Sequence, residues 1–108
     1  MTQAVQPIPG GWSAPTTGDL PAAGGTPTNC GAVTSGAIIY VRSTQAFKWG
    51  FYVDASTAAT NFATTTHGRL DAGTQPIPTK NQSTTKSLFV ERASGTADTN
   101  GLSYWSES

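Results

Sequence analysis

The sequence predicts a mainly β protein: a small antiparallel β-sandwich or barrel-like body over residues 36–108, preceded by an extended Pro/Gly-rich N-terminal arm over residues 1–35. Three observations carry that expectation. The large apolar side chains gather in four short runs, Ile38–Val41, Phe47–Val53, Leu88–Val90 and Leu102–Trp105, dominated by β-branched, leucine and aromatic residues. The first two runs are separated by only a few residues, as antiparallel neighbours are. The opening third holds Pro7, Pro9, Pro15, Pro21 and Pro27 with the pairs Gly10-Gly11 and Gly24-Gly25 between them, punctuation that leaves neither a helix nor an interior strand.

Taken in chain order, the arm contains Val5, Ile8, Trp12, Leu20 and Val33 and few other large apolar groups. Gly36–Ser43 (GAIIYVRS) and Phe47–Asp54 (FKWGFYVD), joined by Thr44-Gln45-Ala46, are expected to form a hairpin. Alternation puts Phe47, Trp49 and Phe51 on one face and Lys48 and Tyr52 on the other, with Gly50 marking a bulge or a close approach of another group. The Thr-rich stretch Ala55–Lys86 carries Phe62, Leu70 and Ile77 as isolated anchors. Within it, Ser56–Ala63 suits one or two helical turns, because threonine competes for backbone hydrogen bonds and disfavours more. Gln75–Pro78 repeats the QPIP of Gln6–Pro9, and both copies are expected to be extended with the isoleucine projected outward. A second hairpin is expected from Ser87–Ala93 and Leu102–Glu107, with Asn100-Gly101 supplying positive φ.

Composition excludes several function classes. Charged residues are 11% of the chain and the six basic ones balance the six acidic ones, against about 25% charged in an average domain. Arg42, Lys48, Arg69, Lys80, Lys86 and Arg92 are scattered singly, which argues against a nucleic-acid partner. No apolar run approaches the roughly 20 residues of a membrane span, and Met1-Thr2-Gln3 lacks the opening of a signal peptide, so a soluble product made in the cytoplasm is expected. Cys30 is the only cysteine, which leaves no intrachain disulfide and no cysteine-based zinc site.

No motif identifies a reaction. His67 and Asp71 flank a glycine turn without a nucleophile or an orienting third group. Asp54, Asp71, Glu91 and Asp98 show no spacing that pairs two of them as glycosidase carboxylates. The glycine pairs lack the lysine and the preceding strand of a phosphate loop. Neither a catalytic residue nor a cofactor or metal site is therefore assigned. Trp12, Tyr40, Trp49, Tyr52, Tyr104 and Trp105 are many aromatics for so polar a chain. They suit either packing on both faces of a sheet or, through Trp49, Tyr52, Tyr104 or Trp105, a sugar-stacking surface.

Ordering about 35 residues costs roughly 1–2 kcal/mol each in backbone entropy, more than the arm's few apolar groups can offset within one chain. The arm is therefore expected to lie on a partner, with Val5, Ile8, Trp12 and Leu20 as the contact residues. A Thr/Ala/Gly-rich chain with few charges, an arm reading QPIPGGWSAPTTGDLPAAGGTP and a compact β body resembles the small virion proteins of tailed bacteriophages, particularly capsid decoration, or cement, proteins. The resemblance implies a non-enzymatic virion component that joins a preformed shell of major capsid protein in many copies, commonly as a homotrimer. A tail, tail-fibre or head-to-tail connector protein is the alternative within that class, and a carbohydrate- or receptor-binding module the alternative outside it.

Overall fold

The computed structural model describes residues 15–34, 36–64 and 67–107. In chain order come β1 (Thr16–Leu20), β2 (Thr28–Ala32), β3 (Ile38–Ser43), β4 (Phe47–Tyr52), α1 (Ala55–Phe62), β5 (Gly68–Leu70), β6 (Gly73–Pro78), β7 (Ser87–Arg92) and β8 (Asp98–Glu107). Their pairing is nested: β4 with β5, β3 with β6, β2 with β7 and β1 with β8, all antiparallel. The chain thus runs out and back as one long ribbon bent between β4 and β5. Rolling that ribbon adds the pairs β3–β8 and β4–β7. Two four-stranded sheets result, sheet I with order β1-β8-β3-β6 and sheet II with order β2-β7-β4-β5. This eight-stranded double sheet is a jelly roll, and the expected mainly β antiparallel sandwich is what the chain forms.

The inward faces make the core. Leu20, Ile39, Val41, Ile77 and Leu102 of sheet I meet Cys30, Phe47, Leu88 and Val90 of sheet II, with Trp49, Phe51, Leu70 and Tyr104 packed around them. Each fully buried apolar side chain of this kind contributes about 1.5–3 kcal/mol. Phe47, Trp49 and Phe51 do share the inner face of β4, as period-2 alternation requires.

A second, smaller cluster lies on the outside of sheet II, where Ala58 and Phe62 of α1 cover Phe89. Asp54 caps α1 by accepting the Thr57 N–H at 2.7 Å, and the two-turn helix closes with the Ala63 N–H on Ala59 O. β7 is consequently buried on both faces, which is why Leu88, Phe89 and Val90 form an unbroken apolar run. Gly50 shows no register shift. Its missing side chain makes room for the Tyr52 ring, which a Cβ there would overlap.

Both expected hairpins are corrected. β3 and β4, and likewise β7 and β8, are consecutive in the chain but belong to opposite sheets. At the first crossing the Thr44 N–H bonds Gly101 O in sheet I while Ala46 O accepts the Ala93 N–H next to sheet II, and the Ser43 hydroxyl closes the corner on Gln45 O at 2.6 Å. Three residues span the roughly 10 Å between packed sheets. Alternating apolar residues point inward whether two strands pair edge to edge or face each other, so pattern alone does not separate the two arrangements. Asn100 does adopt φ 57°, but inside β8, at a register irregularity opposite Gly18–Leu20, with its N–H on Asp19 Oδ1 at 2.9 Å.

The boundary at residue 35 is corrected as well. β1 and β2 lie within residues 1–35 and supply one edge strand to each sheet, so residues 16–34 belong to the body. Prolines 21 and 27 fall between these strands rather than in them, and Pro15 precedes β1. Gln75–Pro78 is extended, but Ile77 turns into the core with 1% exposure instead of projecting outward. Pro76 and Pro78 are tolerated because β6 is an edge strand. The other edges are interrupted too: β1 and β2 by register shifts, β2 also by Gly31 at φ 126°, and β5 by its three-residue length.

Candidate functional site

The structure separates the four residues expected to bind a partner. Leu20 is a correction: it is 0% exposed, packed in the central cluster, and is not available to another chain. Val5, Ile8 and Trp12 lie outside the described residues. The candidate stacking aromatics also part company. Trp49 and Tyr104 pack on the inner cluster and Tyr52 beneath α1, with its ring edge on Phe62. Only Trp105 belongs to the outside of sheet I, where it stacks on Tyr40, its cross-strand neighbour, at 5.6 Å between centroids and 12° between planes. Nothing in the sequence pairs Tyr40 with Trp105, because the pairing of β3 with β8 depends on a long-range register.

That outer face is organised in rows. Ile38 lies opposite Glu107, Tyr40 opposite Trp105 and Arg42 opposite Ser103. Beyond the last row the surface dips into a groove of about 460 Å³ lined by Arg42, Ser43, Thr44, Gly73, Asn100, Gly101 and Ser103. Its walls are polar and partly spoken for. The Thr44 hydroxyl donates to Asp98 Oδ2, and the Ser103 hydroxyl lies 3.3 Å from that of Thr17. The exposed Arg42 guanidinium and the Asn100 side-chain amide make no hydrogen bond or ion pair among the described residues.

A second cleft, of about 370 Å³, opens between the β1 and β2 edges and is lined by Thr16, Cys30, Gly31, Ala32, Thr34, Ile39, Tyr104, Trp105 and Ser106. Cys30 is 3% exposed with its Sγ directed at Thr28 O, and burial pushes its thiol well above the ordinary range. Burial also raises the Tyr104 phenol, with Cys30 adding to the effect. Both groups are neutral at physiological pH, so the cleft presents no thiolate nucleophile.

The remaining titratable groups hold the fold. Glu91, 1% exposed on the outside of β7, accepts the Gly24 N–H at Oε2 (3.1 Å) and faces Lys48 Nζ at 4.0 Å, while its Oε1 has no hydrogen-bond partner among the described residues. Lys48 in turn donates to Phe62 O at the C-terminal end of α1, at 2.9 Å, where a cation complements the helix dipole. His67 rests edge-on against Phe62, with Nδ1 3.1 Å from Asn61 O. Asp54 caps α1, Asp98 binds Thr44 and Asp71 is exposed beyond β5. Among the described residues no three His, Cys, Asp or Glu side chains cluster as metal ligands. Compared with known proteins, the chain matches no family model, no curated protein and no solved structure.

Proposed function

We propose that this chain is a non-enzymatic structural component of a virus particle, a capsid decoration protein that binds a shell through its N-terminal segment and stands beside further copies of itself. One observation supports the proposal: among the described residues, 16–107 form two sheets packed around their own apolar clusters, and the sequence places three more large apolar residues, Val5, Ile8 and Trp12, ahead of that body. Large apolar groups ahead of a body that carries its own core suit contact with a partner. The interrupted sheet edges point the same way, because they disfavour attachment by adding strands to the body itself. The jelly roll is an architecture used by viral capsid domains and also by lectins and cupins, and therefore fits the proposal without selecting it.

Two truncations test it by co-sedimentation with purified shells. A chain beginning at Pro15 retains all eight strands and is expected to unfold cooperatively like the full chain but to leave the shells bare. A chain beginning at Thr28 loses β1 with Leu20 and is expected not to fold. Full occupancy of shells by the chain beginning at Pro15 overturns the proposal.

A further inference from the structure

We infer that the groove on the outer face of sheet I binds a neutral sugar residue of a glycan. Its volume, about 460 Å³, lies within the range of roughly 300–1,000 Å³ usual for small-ligand sites. A sugar hydroxyl both donates and accepts, and the groove offers both functions. Arg42 donates only, and the Asn100 amide does either. Thr44 commits its proton to Asp98 and therefore turns an acceptor lone pair outward. Gly73 and Gly101 bring bare backbone to the floor, and at Gly101 a side chain would collide with Thr44 and Asp98. The Tyr40–Trp105 pair borders the groove one row away, roughly 7 Å along the strands, beside the position where a sugar ring would lie.

Charge decides against an anion. Arg42 is the only cation among the described lining residues, while the carboxylates of Asp98 and Asp19 stand just behind Thr44 and Asn100. A carboxylate or phosphate would meet them at close range, whereas a neutral hydroxylated ring meets acceptors it can use. The inference does not depend on the particle proposal, since it concerns a face of the body and is tested on the isolated chain.

The experiment is an amide-resolved NMR titration of the full chain with the methyl glycosides of glucose, galactose, mannose and N-acetylglucosamine, up to about 50 mM, a range suited to millimolar binding. Sodium acetate and sodium glucuronate are run alongside. At least one glycoside is expected to give saturable shifts confined to residues 42–44, 73 and 100–103, and acetate none there. Arg42→Ala and Asn100→Gly, the latter preserving the left-handed backbone, are each expected to weaken binding about ten-fold with thermal unfolding unchanged. No saturable shift with any of the four glycosides overturns the inference. So does tighter binding of acetate or glucuronate than of every glycoside, or unchanged affinity in either variant.

Discussion

Replacing Glu91 by leucine removes the counterion of Lys48 and the acceptor of the Gly24 N–H in one step. Lys48 is left 20% exposed, too far from water to be fully solvated. Breaking a buried pair from one side costs about 3–5 kcal/mol, a large share of the about 5–15 kcal/mol that stabilises a domain. Lys48→Met strands the more deeply buried partner and loosens the C-terminal turn of α1 through the lost bond to Phe62 O, so a loss at least as large is expected. The double variant behaves differently. Glu91 Oε1 is already without a partner among the described residues, so they compensate the native pair incompletely, and two apolar side chains of similar volume remove both desolvation penalties together. What remains is the orphaned Gly24 N–H and the Phe62 carbonyl that has lost its Lys48 donor, together about 1–3 kcal/mol. The double variant should therefore cost less than either single one, with a coupling energy of about 3 kcal/mol or more. Urea unfolding of the four proteins measures it. A coupling within about 0.5 kcal/mol of zero, the scatter of independent sites, would refute the view that these groups act as a pair.

Two further outcomes follow from the titratable groups. Cys30 should resist a disulfide reagent in the native protein and react at once in concentrated guanidinium, because its thiol is buried and held protonated; rapid native labelling would show the cleft open to the sulfur. The Asp54 carboxyl is held below its ordinary value by the backbone and side-chain hydrogen bonds from Thr57, against a small opposing effect of desolvation. A lowered folded value contributes stability that is present above the unfolded value and lost as pH falls through the folded one. Amide exchange in α1 should therefore accelerate as pH drops below about 4 relative to Asp54→Asn, whose cap does not titrate over that range; identical pH dependence in the two proteins would refute the assignment.

The fold class, the faces of β4 and the position of α1 are legible because each rests on local pattern: alternation at Phe47, Trp49 and Phe51, and the threonine-rich run Ser56–Ala63 that allows one or two helical turns. What could not be read was which strands lie side by side. Ser43 and Phe47 are four residues apart, yet the chain changes sheets between them, and nothing in Thr44-Gln45-Ala46 announces it. The boundary expected at residue 35 differs from the structure for the same reason. Thr16–Leu20 and Thr28–Ala32 hold only Leu20 and Cys30 as interior side chains, too sparse a pattern to register as strands. They form strands because β8 and β7 offer them ladders from more than 50 residues away. The sheet I groove was hidden for the same reason, since Arg42, Gly73 and Ser103 meet only through the register of β3 with β6 and β8.

The two faces of the sandwich are not equivalent, and the difference bears on how such a chain can meet others. α1 covers the outside of sheet II, with Phe62 and Ala58 satisfying Phe89 and with Lys48 and Glu91 beneath its C-terminal end. No helix among the described residues covers sheet I, whose outer rows run from Ile38 through the Tyr40–Trp105 stack to Arg42 and Ser103. Prolines, register shifts and short length interrupt the edges of both sheets. Contact by strand addition is thereby disfavoured along the described edges, which leaves the outer face of sheet I as the open face of the sandwich.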